Sequence, residues 1–278
     1  MWEPSSMREP WRRRALVIAL IAAATFAILN VETSPKVASA DDGTGIMVAA
    51  AMSLRQVLPA MIEAFKGQSP GAEIVVSYGA SGELRRQVEG GAPIDAVVFA
   101  AASDVDLLIE RNHIAGGKRV VASNSLVLIG PRGAKPITFQ TLDSVPTGEY
   151  IAIGDPKMVP AGRYAQEVLQ ALDKWDAIQN RLVLGGHVAA VLQYARRGEV
   201  AAAVVYGTDI IGVDDVVVLD RARGAWAPRI ETVAGVVAGG QEAAARAFVE
   251  FLATPAARAI FSAHGFGPPV EAPAGTSP

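Results

Sequence analysis

The run Tyr150-Ile151-Ala152-Ile153-Gly154-Asp155-Pro156, followed after Lys157-Met158 by Val159-Pro160-Ala161-Gly162-Arg163-Tyr164-Ala165, decides the fold. An apolar segment stopped by Gly-Asp-Pro reads as a buried strand that ends in a turn. Beyond it, Tyr164, Val168, Leu169 and Leu172 fall at helical spacing. Pro160 or Ala161 then opens the helix, where a missing N–H costs nothing. A first turn this small and uncharged leaves its backbone N–H groups unpaired at the positive end of the helix dipole, a setting that suits an anion. One such corner is an ordinary strand–helix connection; several aimed at one place would be a site.

The same pattern recurs outward from this stretch. Ile46 to Ala51 is a short apolar strand. Met52-Ser53 follows, and then Leu54, Val57, Leu58, Met61, Ile62 and Phe65 at helical spacing, with Ser53 where an N-cap is wanted. Ala72 to Tyr78 reads as a strand, broken by Gly79-Ala80-Ser81-Gly82 before a short helix that carries Leu84 and Val88. Ile94 to Ala100 is apolar apart from Asp95, as in a strand covered on both faces. A helix over Val105 to Arg111 comes next. Arg119 to Ala122 and Ser125 to Ile129 are extended around Asn124, where the chain is expected to pass into a second lobe. There, Leu182-Val183-Leu184 leads through Gly185-Gly186-His187-Val188 into a helix to Arg197. Val200 to Tyr206 ends in Gly207-Thr208-Asp209, and Val216 to Leu219 is a further strand. Ile230 to Val237 reads as the return, and Glu242–Leu252 and Ala256–His264 as closing helices.

Strands that alternate with helices imply mainly parallel sheets covered on both faces. The expected organisation is a first lobe of residues 41–122 plus 233–269 and a second of 123–232, hinged near Asn124 and Thr232. Strand C-terminal ends and helix N-termini would face the gap between them, where open α/β sheets bind ligands.

The N-terminus reads as a targeting segment. Arg12-Arg13-Arg14, an apolar run from Ala15 to Leu29 and Val37-Ala38-Ser39-Ala40 have the order of a secretory signal. The run is shorter than the roughly 20 residues that span a bilayer, so residues 1–40 are expected to be cleaved after Ala40, leaving a periplasmic protein. The consecutive arginines also permit twin-arginine export. With no cysteine among 278 residues, disulfides and lipidation of an N-terminal cysteine are both excluded. A net charge of -3 argues against nucleic acid as a partner. Residues 270–278, rich in Pro, Gly and Ala, are expected to be disordered.

Four corners share one character: Ser53, Ser81, Val159 to Gly162, and Gly186 to Val188. Tyr206 adds a hydroxyl at a strand end, and no Lys or Arg stands at any of the caps. Hydroxyl and N–H donors of this kind can hold a dehydrated oxyanion, at about 1.5–3 kcal/mol for each hydrogen bond to charge. A rigid cage selects by ion radius. A ring of donors alone also rejects a protonated phosphate, whose O–H would need an acceptor.

These residues carry a family resemblance. Ala50-Ala51-Met52-Ser53-Leu54, Tyr78 to Leu84 (Tyr-Gly-Ala-Ser-Gly-Glu-Leu), Gly90 to Asp95, Asn124 to Val127, Gly154-Asp155-Pro156 with Val159 to Ala165, and Val205 to Asp209 run in order over nearly the whole chain after the signal. The chain resembles the periplasmic molybdate-binding proteins of ABC transporters. The resemblance implies the type II periplasmic binding protein fold: two doubly wound α/β lobes joined by a crossover hinge, with the ligand in the cleft. It implies that Ser53 and Ser81 donate hydroxyl and backbone N–H groups, Ala161 and Val188 backbone N–H groups, and Tyr206 its phenol. Their metal is the molybdenum of the oxyanion, not a bare cation. The ligand would be molybdate or tungstate, with sulfate too small, and no cofactor is expected. Partners would be a membrane permease and an ATPase, and the protein a monomer.

The chain departs from the family pattern at Met52, at Phe99-Ala100-Ala101 and at Gly185-Gly186-His187. Met52 could narrow the pocket or point into the core, and the core is the expectation. A sensory module built on the same binding fold is the alternative function. An exported serine hydrolase using Ser53 or Ser81 with His113, His187 or His264 is a weaker one, because no Gly-x-Ser-x-Gly surrounds either serine. The protein is therefore read as a binding protein and not an enzyme. Three scattered histidines and no cysteine disfavour zinc. Asp155 and Asp209 are expected to cap backbone N–H groups, His187 to be either solvated or a cap, and Arg163 to be solvated.

Overall fold

The computed structural model describes residues 45–270; the expected signal peptide and residues 271–278 of the expected disordered tail lie outside them. Two five-stranded sheets organise the chain. The first has the order β2-β1-β3-β10-β4, from β1 (Gly45–Ala51), β2 (Glu73–Gly79), β3 (Ala96–Phe99), β4 (Ile114–Asn124) and β10 (Ile230–Val237). The second has the order β7-β6-β8-β5-β9, from β5 (Leu126–Pro131), β6 (Ile151–Gly154), β7 (Leu182–Gly185), β8 (Ala202–Tyr206) and β9 (Val216–Arg221). Helices α1 (Leu58–Gln68), α2 (Ser81–Glu89), α3 (Ala102–Glu110), α7 (Glu242–Leu252) and α8 (Pro255–Ala263) surround the first sheet as lobe 1. Helices α4 (Pro160–Ala171), α5 (Trp175–Ile178) and α6 (Val188–Arg196) belong to lobe 2.

The central strands show why continuous apolar runs were the right signal. Ala96 to Phe99, Ile151 to Gly154 and Ala202 to Tyr206 are buried at every position. Side chains on both faces of these strands meet helices, so no polar alternation is tolerated. The edge strand β2 instead alternates between exposed and half-buried.

The sheets are mixed, which corrects the expectation of mainly parallel ones. β1 pairs parallel with β2 and β3, and β6 with β7 and β8. β10 runs antiparallel to β3 and β4, and β5 antiparallel to β8 and β9. The reason is the path between lobes. The parallel strands run toward the cleft, while β5 and β10 are the strands by which the chain enters each lobe from the other and so run away from it. The first crossing is tight: β4 ends at Asn124 and β5 begins at Leu126. The second spans residues 222–229. Thr232 itself lies inside β10, opposite Ala122, with a break in register directly after it.

Candidate functional site

Every parallel strand delivers its C-terminal end to one place. β1 ends before a 3₁₀ turn, Met52–Leu54, that holds Ser53. β2 ends before α2, whose first residue is Ser81. β6 leads to α4 with Val159 as N-cap and Pro160 at the first position, as its sequence implied. β7 leads to α6 with His187 as N-cap, and β8 ends at Tyr206. One small cavity is lined by Ser53, Ser81, Ala161, Val188 and Tyr206 together with Met52, Ala100 and His187. The structure thus brings all five expected residues together, two from lobe 1 and three from lobe 2.

Glycines allow the lobe 2 corners to converge. Gly154 and Gly185 are register partners at the ends of β6 and β7. A Cβ on Gly162 would lie 2.0 Å from the Gly154 carbonyl oxygen, and one on Gly185 would lie 2.7 Å from Val191 Cγ2. The first turns of α4 and α6 therefore rest directly on the strand ends, and only glycine leaves room.

The donors are free. Ser53, Ser81, Ala161 and Val188 stand in first turns, where no carbonyl four residues back lies within the helix. Among the described residues no hydrogen bond engages their N–H groups. The Ser81 hydroxyl, fully buried, accepts the Ala100 N–H at 3.2 Å, which turns its own O–H away from Ala100. Ser53 was expected at an N-cap; Ala51 takes that place in the structure with no capping side chain, so the Ser53 hydroxyl is not consumed locally. Among the described residues, Tyr206 Oη is the one buried side-chain polar atom with no hydrogen-bond partner, on a side chain 1% exposed. Burial holds the Tyr206 phenol well above its ordinary pKa, helped by Tyr164 and Asp209 and opposed by Arg163, so the group is a neutral donor. A buried hydroxyl without an acceptor costs about 1–3 kcal/mol. Its presence here marks a place shaped for something the protein itself does not supply.

No Lys or Arg lines the cavity, and no carboxylate does either. His187 Nδ1 accepts the Ala190 N–H at 3.1 Å, so of its two expected roles the ring takes that of a cap. That contact also argues against a hydrolase triad, in which Nδ1–H must donate to a carboxylate. Asp155 accepts the Lys157 N–H, and Asp209 accepts the Tyr206 N–H at 2.9 Å. Burial pushes the Asp209 carboxyl up to about 7, against the lowering effect of that hydrogen bond.

Two further expectations fail. Met52 lines the cavity rather than filling the core, because the 3₁₀ turn directs it to the cleft side. Arg163 is not solvated: its Nη2 pairs with Asp104 of α3, in the opposite lobe. Sequence reasoning also missed Ala100, whose N–H orients Ser81. A main-chain donor at the end of β3 carries no side-chain signature, and only its place after an apolar run hinted at it.

Comparison with known proteins agrees with this geometry. Residues 46–267 match the family model described as bacterial extracellular solute-binding protein. The molybdate-binding protein ModA of Escherichia coli is 33% identical over 236 residues, which cover 82% of this chain and 91% of that protein. Among solved structures, the periplasmic molybdate-binding protein of Azotobacter vinelandii superposes with a TM-score of 0.70 at 22% identity, covering 81% of this chain and all of that one. The sulfate-binding protein SubI of Mycobacterium tuberculosis superposes equally well, with a TM-score of 0.71 at 20% identity over 81% of this chain and 87% of that one. The last two likenesses establish the shared fold; the choice of ion rests on the site.

Proposed function

We propose a function from one premise: this chain belongs to the bacterial extracellular solute-binding protein family. It captures molybdate outside the cytoplasm and delivers it to an ABC-type transporter, whose permease and ATPase subunits are its partners. The observation that carries this reading is the donor set. Three hydroxyls and four unengaged backbone N–H groups, drawn from Ser53, Ser81, Ala161, Val188 and Tyr206, belong to one small cavity without a cationic side chain.

A dianion in such a cage is stabilised by fixed dipoles. Each hydrogen bond to charge contributes about 1.5–3 kcal/mol, and several together offset the cost of stripping water from the ion. Because the dipoles are set by strand ends and helix first turns, the cage cannot shrink around a smaller ion. Tungstate, of nearly the same size and charge as molybdate, binds alongside it, and sulfate binds poorly. Hydrogen phosphate is disfavoured because its O–H meets donors only. No cofactor and no catalytic residue enter this scheme. The protein acts as a monomer in the periplasm after cleavage behind Ala40, with its two lobes divided at the two crossings, residue 125 and residues 222–229.

A thermal-shift screen of the mature protein against molybdate, tungstate, sulfate, phosphate and chromate tests the proposal. A ligand present at 100 times its Kd adds about 2.7 kcal/mol to the stability of the folded state. Molybdate and tungstate are expected to raise the melting temperature by several degrees and sulfate to leave it nearly unchanged. Sulfate giving the largest shift would sink the assignment.

A further inference from the structure

One group of contacts beside the cavity touches no expected ligand atom and yet joins the lobes. The Asp104 carboxylate, in the first turn of α3, is 3% exposed. It accepts Arg85 Nε of its own lobe at 3.3 Å and pairs with Arg163 Nη2 of lobe 2. Arg85 is held in turn by Glu89, which also binds Arg111 at 2.7 Å. A short distance away, the Gly82 N–H of α2 donates to the Met158 carbonyl of lobe 2 at 3.0 Å. A Cβ on Gly82 would stand 2.8 Å from that same oxygen. These contacts flank the donors themselves. Gly82 follows Ser81, and Arg163 lies two residues after Ala161 in the same helical turn.

We propose that the Asp104–Arg163 ion pair and the Gly82–Met158 hydrogen bond form a clasp that holds the two lobes closed over the bound ion, with Arg163 as its positioning residue. The inference rests on the capture function above. The asymmetry of the pair fits the task. Asp104 keeps Arg85 when the lobes part, so it is not stranded without a partner, and the cost that makes buried charges hazardous is avoided. Arg163, about a quarter exposed, is free to return to water. Opening therefore breaks one partly buried ion pair, one main-chain hydrogen bond and the exposed contact of Arg86 Nη1 with Met158 Sδ, enough to slow release but not to prevent delivery. The clasp also keeps a cation near the cleft without placing it in the cavity, because Asp104 neutralises it.

Closing contacts that form after the ion enters act on release, not on capture. Arg163→Gln is therefore expected to speed the release of radiolabelled molybdate into excess unlabelled ion about tenfold. The association rate should stay within about twofold, and the melting temperature of the ligand-free protein should not change. Arg163→Lys should recover part of the loss. Salt should speed release from the wild type and have little effect on Arg163→Gln, a readout that a merely structural role would not move. Gly82→Ala is an independent test, because its methyl group collides with Met158 only when the lobes are closed. It should also weaken binding, and small-angle scattering of its molybdate-loaded form should keep the dimensions of the ligand-free form. Release from Arg163→Gln at the wild-type rate, beside tight wild-type binding, would overturn the clasp alone. A wild type that binds no oxyanion would overturn the capture function and the clasp with it.

Discussion

Tyr206→Phe separates a binding residue from a packing residue more sharply than any other change in this site. The phenol oxygen is buried and has no partner among the described residues. If it serves the ion, its removal costs one hydrogen bond to charge, about 1.5–3 kcal/mol. At 1.4 kcal/mol for each factor of ten, molybdate affinity falls about ten- to 150-fold. The ligand-free protein should respond in the opposite sense. It no longer buries an unsatisfied hydroxyl, which recovers up to about 3 kcal/mol. For a domain of this size that corresponds to about 2–4 °C in melting temperature for each kcal/mol. The ring itself stays, because Tyr206 pairs with Leu126 through its backbone and packs among fully buried side chains. The assay is calorimetric titration with molybdate, paired with scanning calorimetry of the protein with and without ligand. A hundredfold weaker variant also forfeits about 2.7 kcal/mol of ligand-induced stabilisation at saturating ion, so the loaded and empty melting curves should draw together. Unchanged affinity, or a ligand-free melting temperature that falls, would refute the reasoning.

Other perturbations probe the remaining donors and the charge behind them. Ser81→Ala removes a hydroxyl that both faces the cavity and accepts the Ala100 N–H, so it should lower molybdate affinity about ten- to 150-fold and also lower ligand-free stability by about 1–3 kcal/mol. Ser53→Ala, whose hydroxyl makes no hydrogen bond among the described residues, should lower affinity alone; parallel titration and denaturant melts check the contrast. Asp209 has a folded-state pKa raised to about 7 from 3.8. Its protonated form therefore adds stability that is complete below about pH 4 and lost as the pH climbs through 7. Asp209→Asn keeps an oxygen for the Tyr206 N–H and cannot ionise, so ligand-free melts between pH 4 and 8 should show the wild type losing stability relative to the variant as pH rises. Curves that stay parallel across that range would exclude Asp209 as the source.

Much of the architecture was written locally. Continuous apolar runs such as Ile151-Ala152-Ile153 announce strands covered on both faces, because no polar side chain can be placed there without a partner. Gly-Asp-Pro and the proline at position 160 mark where a strand stops and a helix starts, since both act through the backbone of their own few residues. The order of these signals was enough to place Ser53, Ser81, Ala161, Val188 and Tyr206 at strand ends. Their convergence on one cavity is a consequence of parallel strands pointing the same way.

What depended on distant parts of the chain was not legible. The direction of β5 and β10 follows from how the chain crosses between lobes, which no local pattern records. Arg163 reads as a solvated first-turn residue until Asp104, 59 positions away, is brought beside it. Met52 carries the same apolar character whether it meets core or cleft. Ser81 looks like any residue at a helix start until the Ala100 N–H, 19 positions away, fixes its hydroxyl. The amino-acid order by itself determined which segments become strands and helices and which residues stand at their junctions, because propensity, patterning and capping act over a few residues. Only the tertiary structure decided which junctions face one another, which charges pair across the cleft and which hydroxyl is left without a partner, because these depend on distances that arise when the two sheets are assembled.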